Sequence, residues 1–246
     1  MKADHFDQQK LLALAAEDVA LAQLAHRRRT LPELAAVESA TAAERELADA
    51  AVRAETGVRD LQREVARLEA DVETVRARAR RDQGLLDSGS VSAKQMTDLQ
   101  HELQSLARRQ SDLEDSELEL MEQLETAEKE LAEAQEGRAA AGAELERAEQ
   151  RRDDALADLA DGTARHEQAR ADAAATIPPD LLALYERIRA QTGGTGAAVL
   201  KARQCQGCRI ELFGKELAAV RNADPHEVLR CDNCGRILVR TAESGL

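Results

Sequence analysis

Hydrophobic residues recur along most of this chain at spacings that alternate between three and four. In the first of two long segments, about residues 5–84, these positions are Val37, Ala40, Glu44, Leu47, Ala51, Ala54, Val58, Leu61, Val65, Leu68, Val72, Val75 and Ala79, of which only Glu44 is polar. In the second, about residues 92–175, they are Met96, Leu99, Leu103, Leu106, Gln110, Leu113, Glu117, Leu120, Leu124, Ala127, Leu131 and Ala134, with Gln110 and Glu117 as the polar members. Such a repeat over many heptads indicates a coiled coil rather than an ordinary amphipathic helix.

The stretch between these segments, GLLDSGSVSAKQ at 84–95, predicts a turn. Ser88-Gly89-Ser90 should end the first helix, and Ser92 with Gln95 fits a capping box that starts the second. We therefore expect an antiparallel hairpin with its tip at about 84–94.

A turn centred on Gly89 would pair residues that lie equally far from it along the chain. The pairs would be Val58 with Leu120, Val65 with Leu113, Val72 with Leu106 and Val75 with Leu103. A shift by one heptad fits the hydrophobic pattern equally well, so only the central position of the turn favours this register.

Prolines divide the chain further. Pro32 predicts a kink near 30–32, with Thr30 and Glu33 as a possible capping box. Pro178 and Pro179 must end the second arm. We therefore expect a hairpin domain at 1–176 and a second domain at 177–246, where the helix LLALYERIRAQ is closed by TGGTG at 192–196.

Composition favours long helices over one large globule. Aromatic residues make up 1% of the chain and charged residues 33%, so few large rings are available for a core. Residues 1–176 hold 24 Lys and Arg against 39 Asp and Glu, a net charge of −15 that should repel nucleic acid and membrane surfaces. With no apolar run of 18 residues and no signal-peptide profile, we expect a cytoplasmic protein.

The four cysteines form two CxxC pairs, Cys205 with Cys208 and Cys231 with Cys234. Two such turns present four thiolates to one centre, and a cytoplasmic setting favours metal ligation over disulfides. Residues 209–213 and 235–239 alternate like short strands leaving each turn, which predicts a zinc ribbon. A redox dithiol fits poorly and an iron–sulfur cluster is less favoured. A closed site of four cysteines predicts one structural Zn²⁺.

Three stretches together, LLDSGSVSAKQMTDLQHEL, LYERIR and CQGC…CDNCGRILV, resemble the bacterial C4-type zinc-ribbon family that carries an N-terminal long coiled-coil hairpin. The resemblance implies a mainly α fold, a long antiparallel helical hairpin with a small C-terminal β ribbon, and the four cysteines as ligands. It also implies a non-enzymatic adaptor, since some relatives are linked to transcription factors, to RNA, or to flagellar and secretion assembly. Arg209 stands where many ribbons have glycine.

Arginines near the tip, Arg76, Arg78, Arg80 and Arg81, are candidate contacts for nucleic acid or a partner. Interhelical ion pairs are the favoured interpretation, with Arg76 opposite Glu102 and Arg80 opposite Asp98.

Eight cations of the ribbon region could contact phosphates: Lys201, Arg203, Arg209, Lys215, Arg221, Arg230, Arg236 and Arg240. Of these, we take Arg209 and Arg236 as the candidate contacts with nucleic acid or a partner. Phe213 is expected in the core, which leaves no aromatic stacking platform. We expect His226 on the surface rather than at the metal.

These observations support two hypotheses, and no constellation of catalytic residues supports an enzyme. In the first, the protein is a zinc-binding adaptor whose ribbon weakly contacts RNA or DNA, or the transcription or RNA machinery. In the second, it is a protein-only scaffold or assembly chaperone with a purely structural zinc. Both imply a protein partner, no membrane and no small-molecule substrate, and both leave monomer and homodimer open.

Overall fold

The computed structural model describes residues 1–246, which form long helices followed by a small sheet region. In chain order the elements are α1 (His5–Arg29), α2 (Pro32–Asp87), α3 (Ala93–Ala175), α4 (Pro179–Thr192), β1 (Ala197–Lys201), β2 (Gln204–Cys205), α5 (Gly214–Asn222) and β3 (Ile237–Val239). The predicted mainly α fold with a small C-terminal strand region is confirmed. None of the helices has both the length and the apolar character that a membrane span requires.

The chain divides into two compact units. The first contains Met1–Leu34 and Gln150–Leu246, and the second contains Ala35–Glu149. The predicted domains, 1–176 and 177–246, describe the order of modules along the sequence, and that division stays a prediction.

The second unit is the coiled coil of α2 and α3. Every predicted heptad position of the first arm is at least partly buried, and so is every one of the second arm except Met96. Arg138 lies 3.8 Å from Glu44, whereas Arg78 pairs with Glu102 at 2.7 Å. The earlier residue of α2 thus meets the later residue of α3, as in an antiparallel hairpin.

The tip of the hairpin has the predicted geometry. The first arm ends at Asp87, and Gly89 takes a left-handed backbone conformation with φ of 64°. The Ser92 backbone N–H donates to Gln95 Oε1 at 2.9 Å, and the Gln95 backbone N–H lies 3.4 Å from Ser92 Oγ. The capping box that starts α3 is confirmed.

The register of the hairpin differs from the predicted one. Gly137 lies against the Leu47 side chain and Arg138 lies near Glu44, whereas symmetry about Gly89 would pair Leu47 with Leu131 and Glu44 with Ala134. At this end of the hairpin the partners lie four to six residues further along α3 than symmetry about Gly89 implies. The physical reason is that heptad positions one repeat apart are chemically equivalent, and residues 88–92 form a tip that need not be symmetric.

The predicted break near Pro32 is confirmed, but the capping box at Thr30 is wrong. Thr30 caps the end of α1 instead, and its hydroxyl donates to the His26 carbonyl at 3.1 Å. Pro32 then occupies the first position of α2, where its missing N–H costs no helical hydrogen bond.

The first unit has a core built from α1, α4 and the sheet. The buried residues that form it include Leu11, Leu14, Leu181, Tyr185, Ile188, Ile237 and Val239. The strand order is β2-β1-β3, with β1 antiparallel to β2 and parallel to β3. Gly193 ends α4 in a left-handed conformation with φ of 67°, so the predicted helix stop at TGGTG is confirmed.

Candidate metal centre

Two turns of similar geometry carry the cysteines. The Arg209 N–H donates to the Cys205 carbonyl at 2.7 Å, and the Gly235 N–H donates to the Cys231 carbonyl at 2.8 Å. Both donors are left-handed, with φ of 61° at Arg209 and 73° at Gly235. This equivalence explains why glycine suits the position after the second cysteine, and it means that Arg209 adopts a conformation unfavourable for a side chain with a Cβ.

The four sulfur atoms converge on one point. All of them lie within 4.8 Å of one another, with Cys205 to Cys234 at 3.9 Å and Cys208 to Cys231 at 3.8 Å. A tetrahedral zinc site with Zn–S bonds of about 2.3 Å has sulfur–sulfur edges of about 3.8 Å. The sulfur positions therefore fit one structural Zn²⁺, as predicted.

The protein environment shifts the pKa values of Cys205 and Cys234 in opposite directions. Burial raises the pKa of Cys205 to about 12, although the backbone N–H groups of Cys208 and Gly207 act against it. Burial also acts to raise the pKa of Cys234, but N–H donors on the backbone and side chain of Arg236 outweigh it and lower the pKa to about 7. Because a zinc ligand must be a thiolate, metal binding at this site releases protons.

A second apolar cluster holds the two turns in place. Cys205 and Cys231 are buried with Ala198 and Leu200 of β1, Leu238 of β3, Leu212 before α5 and Val220 of α5. The metal ligands therefore sit on a packed layer rather than on free loops.

The predicted strand at 209–213 is wrong. Only Glu211 forms a bridge, with Gln204, and the helix α5 follows from Gly214. The left-handed turn at Arg209 breaks the alternation, so Leu212 is buried while Phe213 is 67% exposed. The expectation that Phe213 lies in the core is therefore also wrong. The second predicted strand is present in shorter form as β3.

Several of the ribbon cations are held by the protein itself. Arg236 Nε donates to the Thr195 carbonyl at 3.1 Å, and its side chain lies against Gly207. The Arg240 guanidinium donates to backbone carbonyls between Val220 and Glu227. Lys201 pairs with Glu243, and Arg230 donates to the Gly235 carbonyl. The cations that remain exposed and form no ion pair are Arg203, Arg209, Lys215 and Arg221.

The tip arginines form ion pairs, but not with the predicted partners. Arg76 pairs with Glu114, Arg78 with Glu102, and Arg80 with Glu73 on its own helix. An arginine side chain can extend along the helix axis, so its partner need not lie directly opposite. Hydrogen bonding from Arg80 lowers the pKa of Glu73, and hydrogen bonds from Gln110 and then Arg76 lower that of Glu114. Arg81 is exposed and forms no ion pair.

A buried ionic cluster beside the ribbon was not predicted from the sequence. The Asp18 side chain is fully buried. It accepts hydrogen bonds from Tyr185 at 2.5 Å and Arg170 at 2.7 Å, and it forms an ion pair with Arg189 at 2.9 Å. Glu186 binds both arginines. Burial, then the bond to Asp18, raises the pKa of Tyr185. The only signals in the sequence were an aspartate on the apolar stripe of α1 and the single tyrosine.

His226 lies on the surface, as predicted, with its backbone N–H bonded to Asp224. It is not part of the cysteine cluster.

Comparison with known proteins identifies both modules. Residues 14–193 match the model of the CT398-like coiled coil hairpin domain, and residues 204–238 match the C4-type zinc ribbon domain. The chain belongs to the CT398-like coiled coil hairpin family. The predicted resemblance is confirmed, and both matching models describe structural modules rather than an enzyme family.

Relatives extend over nearly the whole chain. It is 41% identical to the Mycobacterium tuberculosis protein Rv2229c over 98% of both chains, and 31% identical to the Mycobacterium leprae protein ML1638 over 89% of this chain and 94% of that one. A solved structure from Mycobacterium smegmatis has a TM-score of 0.87 at 37% identity, covering 98% of this chain and all of the other. CT398 from Chlamydia trachomatis, at 17% identity, shares the fold with a TM-score of 0.67 over 96% and 98%.

Proposed function

We propose that this protein is a non-enzymatic cytoplasmic adaptor whose zinc ribbon contacts single-stranded nucleic acid. The observation that carries the proposal is the exposure of Phe213 beside cations that form no ion pair. Aromatic side chains that stack on bases, combined with cations that contact phosphates, are the usual means of binding single strands.

The backbone brings some of these residues close together in the ribbon. The Leu212 N–H donates to the Arg203 carbonyl at 2.8 Å, and the Cys205 N–H donates to the Ile210 carbonyl at 3.0 Å. Residues 209–213 therefore run beside residues 203–205, which places Arg203 and Arg209 in the same small region as Phe213. Ile210 is exposed there as well. Arg236 is better described as a structural residue, because its side chain donates hydrogen bonds to Thr195 and to the Cys234 thiol.

The test is binding of a fluorescent single-stranded RNA, with a DNA of the same sequence, to the zinc-loaded chain. We expect weak binding with a log–log salt slope of roughly −2 to −4, since few cations face the phosphates. Phe213→Ala should weaken binding by about tenfold, the effect of losing one stacked base. Phe6→Ala is the matched control, because Phe6 is the other exposed phenylalanine. Arg209→Ala should reduce the salt slope.

Absence of binding at low salt, or an equal loss with Phe6→Ala, would contradict this function. The second candidate, a protein-only scaffold, would then be preferred. It is favoured by the net charge of −15 over residues 1–176 and by exposed apolar side chains in the second unit. In both cases the zinc is structural, and we propose a protein partner.

A further inference from the structure

The coiled-coil unit carries a groove that includes apolar side chains left exposed by its own packing. Val65 of α2 and Leu118, Met121 and Leu124 of α3 line a cavity of about 490 Å³. Leu118 is 60% exposed and Met121 is 49% exposed. Each follows a heptad position by one residue, after Glu117 and Leu120, so neither is needed to hold the two helices together.

The edge of this groove is entirely acidic. Glu69, Glu122, Glu125 and Glu128 complete its lining. Residues 114–136 contain ten Asp and Glu against a single basic residue, Lys129, which pairs with Glu125 at 2.7 Å. The surface thus combines exposed apolar side chains with an excess of carboxylates.

We propose that this groove binds a basic amphipathic helix of a partner protein. Its apolar side chains would pack on Leu118 and Met121, and its Lys and Arg residues would reach the surrounding glutamates. Binding of an amphipathic helix in a groove needs an apolar floor, which methionine adapts to the partner, and complementary charge at the edges. This inference is independent of nucleic-acid binding by the ribbon.

The charge of the groove argues against other occupants. A nucleic acid or an anionic membrane would place phosphates against carboxylates. A second copy of the chain, docked through the same groove, would place carboxylates against carboxylates, which is costly at an interface. A cationic partner meets no such repulsion.

The experiment uses the zinc-loaded full chain and a labelled helical peptide made of leucine and lysine, with leucines at i, i+3, i+4 and i+7. A peptide of the same composition with shuffled leucines, and one with glutamate in place of lysine, are the peptide controls. We expect saturable binding of the first peptide in fluorescence polarisation, with weaker binding of the shuffled peptide and none of the acidic one.

The matched protein variants separate the groove from general acidity. Leu118→Ala combined with Met121→Ala should weaken binding at least about tenfold, since each loses buried apolar area. Val52→Ala combined with Leu85→Ala removes similarly exposed apolar side chains elsewhere in the same unit and should change nothing. Glu122→Gln with Glu128→Gln should reduce the salt dependence.

The double variant should keep its helical circular dichroism, because both side chains are exposed. If the leucine–lysine peptide does not bind saturably, the proposal is overturned. Equal binding of the shuffled peptide, or equal losses in the two double variants, would also overturn it, because the interaction would then be nonspecific attraction to an acidic protein.

Discussion

Replacing Asp18 by Asn tests whether the buried ionic cluster holds the first unit together. The substitution keeps the shape of the side chain but removes the charge that faces Arg170 and Arg189. Asp18 has no exposed side-chain surface, whereas the two arginine side chains are 20% and 39% exposed and keep Glu186 as a partner. Removal of one partner from a buried ion pair costs about 3–5 kcal/mol, and this partial exposure favours the lower end, about 3 kcal/mol.

The single tyrosine supplies a local assay. Because the chain has one Tyr and no Trp, tyrosine emission reports on Tyr185 in the first unit, whereas circular dichroism reports on the helices of both units. With a urea m-value of about 2 kcal/mol per molar, the emission midpoint should fall by about 1.5 M. Asp158→Asn, an exposed aspartate on α3, is the control. A midpoint shift no larger than that of the control would refute the reasoning.

Three further predictions concern the ribbon and its support. Purified protein should contain one zinc per chain by elemental analysis, and two irons per chain would contradict the proposed site. The Cys208→Ser variant should lose the zinc but keep most of its helical circular dichroism signal, because α2 and α3 contribute no ligand. Gly196→Ala should destabilise the first unit by several kcal/mol in the tyrosine emission assay, because the added Cβ would lie 2.3 Å from the Tyr185 carbonyl oxygen. Gly194→Ala is the control, since the Cβ added there meets no atom closer than 4.0 Å. Both Gly235 and Arg209 have a left-handed backbone conformation, which favours glycine. In competition with a chelator, Gly235→Ala should therefore weaken zinc binding by about 1–2 kcal/mol, and Arg209→Gly should strengthen it by up to about 1 kcal/mol. If the two variants change the zinc affinity in the same direction, backbone strain is not the cause.

The coiled coil was predictable because its signal is local and repeated. Each three- or four-residue step in α2 and α3 carries the same information, so single polar positions such as Glu44 and Gln110 do not obscure it. The register was not predictable for the same reason, since a shift of one heptad presents an equivalent set of hydrophobic positions. Resolving it requires the conformation of the residues at the tip.

The zinc site was predictable because two CxxC turns supply four thiolate ligands whatever the surrounding fold is. Its surroundings were not. The exposure of Phe213 depends on the left-handed turn at Arg209, which no alternation of polar and apolar residues signals. The Asp18 cluster depends on α1 meeting α4, a contact between residues far apart in the sequence that periodicity within either helix cannot reveal.

The assembly of the first unit from both ends of the chain has a consequence for synthesis on the ribosome. Leu11 and Leu14 share a buried core with Ile237 and Val239, which are translated more than 220 residues later. At about 5–20 residues per second, α1 waits on the order of 10 to 45 s for these partners. During that interval the hairpin of α2 and α3 has all of its own residues and can form, while the leucines of α1 lack part of their core and stay open to chaperones.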